Sequence, residues 1–255
     1  MIQPSFKTSM TGVPILKNTA IEADVERMLR DYNPSLLEMP QPLDVEDFSE
    51  SYLGLSVHFD NLSHNGSIWG RMVFYNNQIP VYVPELEHAE YLPIEANTIV
   101  IDNCLLNEER EAAYRSTMMH ECGHKVYHTQ FYREEAESSM WVTATAQRWI
   151  PATACRQVDV MDFGSGGKRT LISDQDWLEH QAKYFSAAAL MPAPAVRRVY
   201  DELEIGENMR VSSSKASEYD FIFWLSSIFR VSTRSAEVRI RQLKLDFDSV
   251  SAHAG

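Results

Sequence analysis

His120, Glu121 and His124 stand in a His-Glu-x-x-His pattern within the run Met118-Met119-His120-Glu121-Cys122-Gly123-His124-Lys125-Val126-Tyr127-His128. On a helix, side chains four residues apart stack on one face, so the two imidazoles can each present a ring nitrogen to one metal ion. Glu121 lies about 100° around the helix from His120, at the edge of that face, where its carboxylate reaches a water on the ion rather than the ion itself. Zinc accepts imidazole readily and at catalytic sites keeps one position for water. It lowers the pKa of that water to about 7 and polarises a carbonyl, and Glu121 is placed to take the proton as general base. The competing reading is a polar helix face that happens to carry two histidines.

The elements around the motif must hold it as a helix. Residues 108–119 alternate Ala112, Ala113 and Met119 with charged positions, as a helix with one buried side does. Gly123 weakens a helix, and its small size lets another segment approach the ion closely. Thr98-Ile-Val-Ile-Asp102 reads as a strand delivering the chain to this helix. Before it, residues 54–60, 68–75 and 79–83 read as strands, the third demoted to an edge by Pro80. An edge strand beside such a site can pair with an extended peptide, or can be covered by another loop. Ahead of these strands, residues 1–17 read as a loosely ordered lead-in. A helix follows to Tyr32, capped by Asn18 or Thr19 and buried through Ile21, Val25, Met28 and Leu29, and residues 44–52 suggest a second short helix.

After the motif, residues 134–149 suggest a helix stopped by Pro151, and 155–172 a connecting loop or ribbon. Its Gly164-Ser-Gly-Gly-Lys-Arg169 stretch lacks the spacing of a phosphate-binding loop. Ser173 or Asp174 starts a helix closed by Pro192, with Leu178, Ala182, Phe185 and Ala189 on one face. The fold class expected is α+β: a small, mostly antiparallel sheet beside the metal helix, with a helical C-terminal region.

Composition sets further bounds. The chain has 255 residues, 44% of them hydrophobic, enough for one sizeable core, and a formal net charge of -13 makes it a poor general nucleic-acid binder. Three cysteines, Cys104, Cys122 and Cys155, fit a reducing cytoplasm better than a disulfide framework. Cys122 faces away from the two imidazoles and reads as a small core residue. No basic-then-apolar leader and no long apolar run suggests export or a membrane span.

The third ligand separates the zinc hydrolases. Six residues beyond His124 stands Gln130, which removes one common pattern, and His128 lies about 12 Å along the helix from His120, too far to share its ion. His128 reads as a helix-end residue with a supporting role. A carboxylate from later in the chain remains, and spacing leaves Glu134, Glu135, Glu137 and Glu179 open.

Three segments together resemble the ImmA/IrrE family of metallo-endopeptidases. They are Ile99-Val-Ile-Asp102 followed by His120-Glu-Cys-Gly-His-Lys-Val-Tyr-His128; then Glu179-His-Gln-Ala-Lys-Tyr-Phe-Ser-Ala-Ala-Ala-Leu-Met-Pro192; then Phe229-Arg-Val-Ser-Thr-Arg-Ser-Ala-Glu-Val-Arg-Ile-Arg-Gln-Leu243. The resemblance spans roughly residues 20–245. It implies a zincin-like fold with His120, His124 and Glu179 as zinc ligands and Glu121 as catalytic base. It also implies a protein substrate, a helix-turn-helix transcriptional repressor. Two departures stand out. Lys183 occupies a position where the family has Asn or Asp supporting a zinc-binding His, a role a lysine cannot fill as acceptor. The interval from His124 to Glu179 is long, which suggests a lid-like insertion at 150–172. The oxyanion stabiliser is open among Tyr127, His128, His180 and Tyr184.

The domains expected are the lead-in 1–17, a metallopeptidase domain 18–205, and a helical, helix-turn-helix-like region 206–255 packed on it. The last region, with helices at 216–228 and 232–244 and Ser232 as cap, carries Arg230, Arg234, Arg239, Arg241 and Lys244. It supports an alternative reading, a DNA- or protein-binding regulator with a vestigial zincin fold. Against it, Phe221, Trp224, Leu225, Ile228, Val231, Val238, Ile240 and Leu243 can pack the pair onto the catalytic domain.

Overall fold

The computed structural model describes residues 2–140, 153–157, 171–209 and 218–247, with backbone alone over 134–140 and 203–209. The architecture is α+β. Helix α1 (Asn18–Tyr32) is followed by short turns of helix and then by strands β1 (Ser56–Asp60), β2 (Ile68–Val73), β3 (Asn77–Val83), β4 (His88–Ile94) and β5 (Thr98–Asp102). Helix α2 (Glu111–Met140), strand β6 (Cys155–Arg156), and helices α3 (Asp174–Leu190), α4 (Ala193–Met209), α5 (Glu218–Phe229) and α6 (Thr233–Leu243) complete the order.

The main sheet runs β1-β5-β2-β6. β5 is parallel to β1 and antiparallel to β2, with Ile99 opposite Val57 on one side and Met72 on the other. All five residues of β5 are buried, as a central strand with helices and a hairpin over its faces requires. β3 and β4 form a separate antiparallel hairpin. Pro80 lies inside that two-stranded ribbon, where a missing N–H is tolerated.

Several elements differ from expectation. α2 continues unbroken through Met140, so residues 134–140 extend the metal helix instead of starting a new one; residues 141–149, and the Gly-rich stretch at 164–169, lie outside the described residues. His128 is consequently in mid-helix, not at a helix end. α1 starts after Lys17 with no side-chain cap, and Asn18 instead accepts a hydrogen bond from His180 Nε2 at 2.9 Å. The lead-in is tied down rather than loose. Ser9 N donates to Val13 O at 2.8 Å, Gly12 turns the chain with φ 84°, and Val13 and Leu16 are buried. Residues 44–52 are helical, and the Asp44 carboxylate caps the first turn by accepting from Asp47 N at 3.0 Å.

The C-terminal helices share the main core through Phe221, Leu225, Phe229, Val231, Ala236, Ile240 and Leu243. Ser232 caps α6, accepting from Ser235 N at 3.0 Å as its position predicts. Trp224 is instead 41% exposed. Arg239 is fully buried: its Nε donates to Met191 O at 2.9 Å and its guanidinium grips both Glu22 oxygens, at 2.5 and 3.0 Å. One side chain thereby joins α6, the end of α3 and α1. Among the described residues, no helix is long and apolar enough to cross a membrane.

Candidate metal centre

Two helices supply the donor atoms. The capping box of Ser173 and Asp176 starts α3, whose face of Leu178, Ala182, Phe185 and Ala189 is buried as its spacing predicts. α3 packs against α2 at Gly123, where a Cβ would lie 3.0 Å from Ala182 Cα and 3.1 Å from Ala182 O. That close approach brings Glu179 to the two imidazoles.

His120 Nε2 and His124 Nε2 are 3.0 Å apart; Glu179 Oε2 lies 3.2 Å from the first and Oε1 3.5 Å from the second. Ligands 2.0–2.1 Å from a tetrahedral ion are separated by about 3.3–3.4 Å, and the spacings here, one to each Glu179 oxygen, are close to that. Glu179 Oε2 is buried and, among the described residues, accepts no well-aligned hydrogen bond, as an oxygen reserved for an ion would. Glu179 Oε1 accepts from Gln175 Nε2 at 2.8 Å. Burial alone would raise Glu179, but the facing imidazoles of His124 and His120 hold it well below the ordinary carboxylate range. Burial likewise would depress His120; the Cys155 thiol and Glu179 carboxylate beside it reverse that and raise it well above the ordinary imidazole value.

His128 supports this pair through a chain of hydrogen bonds. Its Nδ1 is 2.8 Å from His124 Nδ1, and its Nε2 is 3.0 Å from Gln181 Oε1. Gln181 Nε2 in turn donates to Pro14 O at 2.7 Å. A carbonyl only accepts, so Pro14 fixes which end of the Gln181 amide faces His128. His128 must then donate from Nε2, leaving its Nδ1 to accept from His124 Nδ1–H, which leaves His124 Nε2 with a free lone pair. Burial, with the neighbouring His124, keeps His128 well below the ordinary imidazole value and therefore neutral. The acceptor behind the metal-helix imidazoles is thus Gln181, not the Lys183 position two residues on.

Glu121 is fully buried at the edge of the group. Its Oε2 accepts from Thr153 Oγ1 at 2.6 Å, and that hydroxyl accepts from Met72 N at 2.6 Å. Among the described residues, Glu121 Oε1 has no hydrogen-bond partner. Gly70 of β2 lets the helix approach here, since a Cβ would meet Thr117 Cγ2 at 2.6 Å and Glu121 Oε1 at 3.2 Å. Cys155 is also fully buried, with its Sγ, a His120 nitrogen and a Glu121 oxygen all within 4.8 Å of one another. Burial, first among the influences on it, pushes its thiol up to about 11. Thr153 and Cys155 carried no motif, and only the strand pairing brings them to the site.

The structure therefore brings His120, Glu121, His124 and Glu179 together, with buried His, Glu and Cys groups able to hold a metal ion. The side chains of Glu134, Glu135 and Glu137 lie outside those described. Each group considered for oxyanion stabilisation has a partner elsewhere. Tyr127 Oη faces Asp24 at 3.4 Å, His180 faces Asn18, Tyr184 Oη donates to Glu22 at 2.9 Å, and His128 is engaged as above. The side of β2 away from β5 is paired with β6 of the same chain. No protein-family model matches this chain, and no curated protein matches it.

Proposed function

We propose that the chain is a zinc-dependent endopeptidase with a zincin-like fold, of the ImmA/IrrE type its motifs resemble. The observation that carries this reading is the convergence of His120, His124 and Glu179 at near-ligand spacing with the buried Glu121 carboxylate beside it. Zinc bound there supplies Lewis-acid polarisation of a carbonyl and acidifies water. Glu121 takes the proton from the attacking water and returns it to the leaving amine. Its Oε1, without a hydrogen-bond partner among the described residues, is the oxygen available for that transfer, and Thr153 orients the other. His128 and Gln181 hold His124 in the tautomer that leaves its Nε2 free. The substrate class in this reading is a specific protein, a helix-turn-helix repressor.

The test is metal content and cleavage. Purified protein is expected to carry one zinc, lost in His124→Ala and retained in Glu121→Gln, while Glu121→Gln abolishes cleavage of the substrate protein. Absence of zinc from the native protein, or full cleavage by Glu121→Gln, overturns the reading. Four of the five basic residues behind the rival DNA-regulator reading face carboxylates, which counts against it. Arg239 is buried on Glu22, Arg234 and Arg241 pair with Glu237, and Arg230 faces Glu111 at 3.3 Å.

A further inference from the structure

Helix α3 begins at Asp174, its first turn fixed by the capping box of Ser173 and Asp176. Gln175 lies in that turn, four residues before Glu179, so the two side chains stack on one helix face. Its Nε2 donates to Glu179 Oε1 at 2.8 Å. The Glu179 carboxyl therefore has two unlike oxygens. Oε1 accepts from an exposed amide, while Oε2 is buried and, among the described residues, has no hydrogen-bond partner. Distance alone does not separate them: Oε2 lies 3.2 Å from His120 Nε2 and Oε1 3.5 Å from His124 Nε2. A carboxylate so placed can hold an ion through one oxygen or through both. The choice decides what else fits on the ion. His120, His124 and one oxygen leave a tetrahedral position for water, whereas the second oxygen crowds that position.

We propose that Gln175 is a positioning residue that confines Glu179 to ligation through Oε2 alone. The inference rests on the metal-centre reading above and extends it to what keeps the water position free. The amide N–H draws charge density from Oε1 and ties that oxygen to the first turn of α3, so the bare Oε2 is the better donor to an ion. A neutral amide does this without placing a second cation beside the metal. A Gln–Glu pair four residues apart on an exposed helix face commonly adds only slight helix stability. This pair differs because its acceptor is the proposed third ligand, whose side chain is only 14% exposed.

The test uses the full chain loaded with cobalt(II) in place of zinc and read by visible absorption, where four-coordinate cobalt absorbs several-fold more strongly than five-coordinate cobalt. The native chain is expected to bind one cobalt with the intense four-coordinate bands. Gln175→Met keeps the side chain's length without its donor, and is expected to bind one cobalt with bands weakened several-fold. Gln175→Lys restores a donor and is expected to return the native intensity. A Gln175→Met chain that keeps the native spectrum, or binds no cobalt, overturns the inference and leaves the peptidase reading standing. So does a native chain that is already five-coordinate, or weakened bands in Gln175→Lys as well. No cobalt bound by the native chain removes the metal centre and this inference with it. Where Gln175→Met does not fold by circular dichroism, Gln175→Ala replaces it under the same criteria.

Discussion

Replacing Gln181 by Met, which keeps the side chain's length, should weaken metal binding although Gln181 does not touch the ion. The native amide bridges Pro14 O at 2.7 Å and His128 Nε2 at 3.0 Å. Without that acceptor, His128 is free to carry its proton on Nδ1. His124 must then accept on its own Nδ1, 2.8 Å away, and hold its proton on Nε2, where it cannot ligate. Loss of such support behind a ligating histidine costs 10- to 100-fold in affinity, or about 1.4–2.8 kcal/mol. The buried Pro14 carbonyl also loses its donor, which should cost the metal-free chain about 1–3 kcal/mol. The assay is zinc dissociation measured by competition with a chromophoric chelator, alongside urea unfolding of the metal-free protein. A zinc Kd within twofold of the native value in Gln181→Met would refute the tautomer chain, whatever happens to stability.

Further outcomes follow from the same geometry. Gly123→Ala places a methyl 3.0–3.1 Å from Ala182 backbone and Phe185 Cβ, so it should destabilise by about 1–3 kcal/mol and weaken zinc binding by spreading the two helices; an unchanged urea midpoint and Kd would contradict this. Arg239→Leu strands Glu22 in a largely buried setting and should cost about 3–5 kcal/mol, measured by urea unfolding, with a loss below about 1 kcal/mol counting against a structural clasp. His120 is raised in the metal-free chain, so at neutral pH it carries a proton that an entering ion must displace. Zinc affinity should therefore fall as pH drops from 8 to 6, with proton release seen in weakly buffered solution.

The parts of this arrangement legible in sequence are those set by local spacing. The His120/His124 pair, the all-apolar centre of β5, the Ser173 cap and the buried face of α3 follow from periodicity and capping chemistry alone. Pro192 read as an end point, and α4 starts directly after it at Ala193, with Pro194 in its first turn where the absent N–H costs nothing. β4 was hidden because its residues are largely exposed and carry His88, Glu90 and Pro93, so no apolar alternation marks it. The two-residue β6 is too short for any pattern, yet it brings Cys155 to the centre. Glu179 was one acid among several by spacing, because its selection depends on how closely α3 approaches Gly123. The buried His128 and Gln181 likewise become interpretable only once the amino-terminal segment is seen behind them.

That segment has a practical implication. Pro14 lies between the turn at Gly12 and the start of α1, and its carbonyl dictates, three hydrogen bonds away, which nitrogen of His124 stays bare. Trimming the chain upstream, or fusing a bulky partner that drags this stretch off the helices, would detune the centre without altering a single donor atom. A preparation that folds yet holds its ion poorly should be inspected first at its amino end.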